Sequence, residues 1–223
     1  MSKIKVFFAA FLVFFTVFYF WKSPWSPILE QRIQSKIVAD QIDEAIQLLE
    51  WRAQYDFNEE RRKEDIWQAS QLSYIRSNDT DRSRRLLELC LSLPYFSHTT
   101  QARIQFGSLT FKENPQEGII IWEKALEVDA DYDGAARLWA RIASEYELLM
   151  DFDNAIRAWE KASKYPEIAH MSHLALGRLK IKGDPQKALE HFQKVKNDKF
   201  MERTRAAELG EKLAQWEIEK EKE

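Results

Sequence analysis

Asp129, Asp131, Asp133 and Gly134 match the first half of a calcium-binding EF-hand loop. Such a loop gathers hard oxygen ligands at alternate positions and closes on a bidentate glutamate at its twelfth. Here that position is Ala140, so the ligand set is incomplete. His170 and His173 stand three apart on a predicted helix, a spacing that suits a transition metal. No His or Cys is expected nearby to complete the site, so both are read as surface or packing histidines. No P-loop, dinucleotide fingerprint, nucleophile elbow or zinc-spaced cysteine cluster is present. Carboxylate pairs abound, as solvated helix faces in a chain with 36 acids would supply them. We therefore expect no catalytic residue, no cofactor and no bound metal, and read the chain as a binding protein rather than an enzyme.

Basic and acidic residues nearly balance, 33 against 36, which argues against a nucleic-acid partner. Six glycines, six prolines and the absence of alternating apolar runs point to helices instead of strands. The one cysteine, Cys90, cannot form an intrachain disulfide and is expected to be a small buried residue. "NDT" at Asn78 is a glycosylation sequon on a predicted turn.

An uncharged apolar run extends from Val6 to Trp21. As a helix it rises about 24 Å, just short of a typical hydrocarbon core, and it is expected to span once Ile4 is counted and Lys5 and Lys22 snorkel to the interfaces. Bulky residues in "FYFWKSPW" disfavour signal-peptide cleavage, and Trp21 and Trp25 suit an interfacial belt. Residues 1–25 are expected to be an uncleaved signal-anchor. Lysines and arginines on both flanks leave orientation weakly determined, and the short N-terminal tail favours translocation of the remainder.

The remainder repeats. Trp67, Tyr74, Ser83, Leu87, Cys90 and Pro94 precede Trp139, Tyr146, Ala155, Trp159, Ala162 and Pro166 by 72 residues. Gly107, Pro115, Gln116, Gly118, Trp122 and Ala125 precede Gly177, Pro185, Gln186, Ala188, Phe192 and Val195 by 70. Two interleaved sets imply four units of about 35 residues. "IDEAIQLLEWRAQ" adds a fifth.

Trp139, Ile142, Ala143, Tyr146, Ala155, Trp159, Ala162 and Pro166 resemble the tetratricopeptide repeat pattern. The unit from Trp67 departs from it, with Ser70 and Gln71 in the first helix and Ser83 in place of alanine. Arg103 and His173 stand at the usual tryptophan position of two other units. The resemblance implies an all-α solenoid of helical hairpins, with about five units at 26–59, 64–97, 99–132, 136–168 and 169–199. Large residues would fill each hairpin and small ones would let the backbones approach. "MDFDNA" places Asp153 at a helix cap, "KENPQEG" and "KGDPQKA" set proline at the first helical position, and the aspartates of "DADYDG" are expected to cap a helix starting near Asp133. Phe200, Ala206, Ala207, Leu209, Leu213 and Trp216 form one apolar face of a capping helix within 200–223, which ends in a Glu-Lys tail.

The resemblance also implies groove binding by residues of each first helix that lie off its packing stripe. These are Arg137, Arg141 and Ser144, then Leu174 and Arg178, then Ile104, Gln105 and Ser108. The three arginines could hold a carboxylate or acidic peptide; the alternative is pairing with neighbouring acids such as Glu145 or Glu147. The carboxylate clamp of cytosolic chaperone adaptors is absent as a set, since Gln68, Leu72, Ile104 and Ser108 occupy its positions. The chain looks like the small membrane-anchored bacterial proteins of this family that attend secretion, envelope assembly or maturation. It is expected to scaffold a protein or peptide partner at the periplasmic face of the inner membrane. Two rivals remain: a cytosol-facing receptor of an organelle membrane, and a structural protein that assembles with copies of itself.

Overall fold

A computed structural model describes residues 27–56, 58–94, 97–195 and 201–220. The signal-anchor expected over residues 1–25 lies outside the described residues. Among the described residues, no helix is long and apolar enough to cross a membrane. They form eleven helices and no strand: α1 Pro27–Val38, α2 Ile42–Tyr55, α3 Glu59–Ile75, α4 Thr80–Ser92, α5 Thr99–Phe111, α6 Pro115–Val128, α7 Ala135–Leu148, α8 Phe152–Ala162, α9 Ala169–Lys180, α10 Pro185–Val195 and α11 Met201–Lys220. They divide into two compact units, one ending at Asn114 and the other starting at Pro115.

In the first unit, α1 to α5 pack in sequence order. Tight reversals are made by Asp40 and Asn78 at φ 58° and 53°, both residue types that tolerate the left-handed region. The side chains of Asn58 and Asp79 then cap α3 and α4, accepting from the N–H of Arg61 (3.0 Å) and Arg82 (2.9 Å). Ile33, Ile46, Leu49 and Leu87 are fully buried in its core. Cys90 joins them at 1% exposure, and burial pushes its thiol up to about 12, so it is inert packing. Ser83, standing where the repeat pattern has alanine, is also buried, and its Oγ donates to the Ser70 carbonyl at 3.1 Å. The close approach is kept and the hydroxyl is satisfied. Arg52 of α2 is buried between Asp65 of α3, held bidentately at 2.8 and 2.6 Å, and Glu30 of α1.

In the second unit, α7 and α8 form a hairpin in which Ala143, Ala155 and Ala162 are fully buried. Trp139, Tyr146 and Trp159, each under 10% exposed, fill the space beside them. The prolines start helices as expected: α6 opens at Pro115 and α10 at Pro185, where Asp184 accepts from the Lys187 N–H at 3.1 Å.

Two caps differ from the expectation. The cap of α8 is Asp151, which accepts from the Asn154 N–H at 3.3 Å; Asp153 lies inside the first turn. Met150 adopts φ 59° and completes the reversal early, so the helix starts at Phe152. Likewise α7 starts at Ala135 with Gly134 as its N-cap residue and no side-chain capping bond. The turn that carries Asp129, Asp131 and Asp133 is closed by main-chain bonds instead, Ala135 N–H to the Tyr132 carbonyl (2.9 Å) among them. Tyr165 donates to the Ala130 carbonyl at 3.0 Å and fixes the same turn from the end of the next hairpin.

Candidate functional site

The capping helix does more than cover an end. In α11 the residues that pack inward are the small ones, Ala207, Gly210 and Ala214, buried against the α10 side. The large apolar residues Leu209 (61%), Leu213 (46%) and Trp216 (56%) stay exposed. Phe200 lies outside the described residues, and the rest of the single apolar face expected from the sequence is two faces, one packed and one presented.

Phe192 of α10 is the reason for the small stripe. Its ring is 2% exposed and lies where a side chain on Gly177 or Gly210 would stand. A Cβ on Gly177 would lie 2.6 Å from the ring, and one on Gly210 only 2.5 Å. Glycine at both positions lets α9 and α11 close on the same end of one ring, around its Cε1 and Cζ.

This packing leaves a groove of about 670 Å³ within the second unit. Leu148, Trp159, Met171, Leu174, Ile181, Phe192, Leu209 and Leu213 line it, with Ala175, Ala206 and Gly210 between them. Its polar lining is Ser144, Glu147 and Arg178. Arg178 pairs with Glu147, and Glu147 also accepts from the Trp159 indole N–H at 2.7 Å. The rim charges are thus already neutralised, and the walls can exchange water for an apolar surface.

The residues singled out from the sequence separate into three places. Ser144, Leu174 and Arg178 line the groove. Arg141 lies over the ring of Trp122, 4.4 Å from its centroid, and pairs with Glu145 at 3.8 Å, while Arg137 is exposed on the same helix. Ile104, Gln105 and Ser108 belong to α5 of the first unit, where Gln105 accepts from Gln71 and Ser108 donates to the Ile104 carbonyl at 2.8 Å. Leu209, Leu213 and Phe192 were not singled out as binding residues. The signal for them was the Ala207-Gly210-Ala214 spacing, which marks the packed side of α11 and so the free one.

No family model and no curated protein matches the chain. Solved structures do. The chain is similar to the MamA RS-1 ArsTM double mutant at 22% identity, over 80% of this chain and 94% of that one, with a TM-score of 0.52. It is similar to a crystal structure of MamA protein at 19% identity, over 76% and 88%, with a TM-score of 0.53. MamA of Desulfovibrio magneticus RS-1, from position 41 to its end, gives 22%, 80%, 94% and 0.50. The fold is all-helical and like that of MamA. At these identities the likeness concerns the fold alone, and the helical pairs within each unit fit a tetratricopeptide-type array.

Among the described residues, no group of three or more His, Cys, Asp or Glu that could hold a metal ion is gathered. Burial lowers the pKa of His173 to about 4, with Lys194, His191 and His170 adding to the effect. His191 is shifted the same way by burial, then by Lys194 and Lys180.

Proposed function

We propose that this chain is a membrane-tethered scaffold whose second unit holds one apolar face of a protein partner. The observation that carries the proposal is the groove itself. A chain folding for stability alone would bury Leu209 and Leu213, and α11 instead packs through alanine and glycine and turns its leucines outward. A groove of this volume, walled by leucine, methionine and tryptophan, suits an amphipathic helix with anchors at i, i+3 and i+4. Arg137, exposed on α7, supplies positive charge for an acid flanking those anchors, and Arg178 and Arg141 would have to exchange Glu147 and Glu145 for a partner's carboxylates. Ile104, Gln105 and Ser108 are the proposed counterpart on the first unit. No bond-making step is part of the proposal.

The tether rests on the apolar run Val6–Trp21. It would hold the repeats near a bacterial inner membrane, on the periplasmic side, and raise their effective concentration for membrane-bound partners in envelope assembly, secretion or maturation. Protease digestion of the repeats in intact cytosol-out vesicles would contradict that orientation.

Selection from a displayed peptide library on the full-length chain tests the groove. Amphipathic helical peptides should be recovered, and Leu209→Asp with Leu213→Asp should weaken them at least tenfold. Both positions are exposed, so the fold tolerates the change. Peptides that bind the double variant equally well would reject the proposal.

A further inference from the structure

We propose that His173 and His191 form a two-histidine site for a transition-metal ion of the zinc, copper or nickel class, clipping α9 to α10. The two residues are 18 apart in the chain, and the hairpin brings their Nδ1 atoms to 3.2 Å. The ring centroids are 5.2 Å apart, with planes inclined by 34°. Two imidazole nitrogens on one tetrahedral ion, each at 2.0–2.1 Å, stand about 3.3 Å from one another. The pair therefore already has the separation of two ligands on an ion. Two nitrogen lone pairs do not face each other at this distance unless a proton or a cation lies between them. Each imidazole is fixed by a helix of the same hairpin, and both are half-buried, so an ion has access and its shell can be completed by water.

The surroundings supply no third protein ligand, and their lysines work against a cation and limit its affinity. His170, Lys180 and Lys194 bring positive or titratable character, and Glu160 and Glu190 beside His191 oppose it. With two protein ligands the ion is a clip of modest affinity, unlike the closed four-ligand sites that fold a domain. Its position matters because α9 carries Leu174 and Arg178 and α10 carries Phe192, so an ion here stiffens part of the groove wall.

The test uses the full-length chain and the metal alone. Titration with Zn²⁺ should show one ion per chain and a saturable rise in melting temperature. The electron paramagnetic resonance spectrum of bound Cu²⁺ should show two imidazole nitrogens. His173→Gln or His191→Gln should reduce affinity at least tenfold and remove one nitrogen from the spectrum, with the helical signal unchanged. His98→Gln, in the first unit and stacked on Trp67, should have no effect. Absence of saturable binding would show that the pair is an imidazole–imidazole hydrogen bond only. Binding that survives in both glutamine variants would place the ion elsewhere. Either result overturns the proposal.

Discussion

Glu147 of α7 holds Arg178 of α9 across the groove, and the same carboxylate receives the indole N–H of Trp159 from α8. One acid thus ties three helices together at the edge of an apolar surface. The two contacts differ in weight. Arg178 is 64% exposed at its side chain, so its ion pair is screened and contributes little, while Trp159 is 5% exposed and depends on its acceptor. Glu147→Ala should destabilise the chain by about 1–3 kcal/mol, and Arg178→Ala by less than about 1 kcal/mol. Glu147→Gln, which keeps an acceptor, should recover most of the loss. Urea melts of the three variants check the order.

The ring of Phe192 sets the spacing of α9, α10 and α11. Gly177→Ala and Gly210→Ala should each destabilise by about 1–3 kcal/mol through overpacking. Phe192→Leu should reduce the penalty of either alanine, so that the paired changes are strongly non-additive. Additive melts for these pairs would mean that the helices relax without using the ring as their spacer.

Met150 holds the left-handed conformation that Asp40 and Asn78 hold in their own turns, and it is 72% exposed. Its side chain loses nothing by removal, whereas its backbone is in a region that suits glycine or asparagine. Met150→Asn or Met150→Gly should leave the fold unchanged and raise stability by up to about 1 kcal/mol, read as a shift in the melt midpoint.

These cases show what the sequence made legible. Trp139, Tyr146, Trp159 and their alanine neighbours could be read because a hairpin needs large and small residues at fixed helical spacing. Ser144, Leu174 and Arg178 could be placed outside that stripe by the same periodicity. The two faces of α11 were harder to read. Large apolar residues dominate a hydrophobic pattern, and in this helix the packing falls to Ala207, Gly210 and Ala214. The pairing of His173 with His191 was invisible, since their 18-residue separation acquires meaning only when α10 folds back on α9. The cap falls at Asp151 and not Asp153 because Met150, with no glycine or asparagine to mark it, takes the left-handed turn.

The same histidines predict a pH dependence. Burial lowers the pKa of His173 from the usual 6.5 to about 4, and His191 shifts in the same direction. Between these values the unfolded chain binds more protons than the folded one, so stability rises with pH. The contribution is complete above about 6.5 and is lost as pH falls towards 4. Because both rings are half-exposed, solvent screening reduces it. Comparing His173→Gln with the parent chain in urea melts from pH 7.5 to 4 isolates the effect: the parent should lose its advantage within that window. A constant difference would show that the ring titrates alike folded and unfolded.

The central claim is that the surface between α7, α9 and α11 receives a partner. Site-specific photo-crosslinking in the native membrane measures this most directly. A benzophenone side chain placed at Leu209 or Leu213 should form adducts with one and the same protein, lost when Leu174→Asp is added. The same probe at Lys161, exposed on α8, should form none of that product. Adducts of equal yield from Lys161, or none from either leucine, would contradict the account.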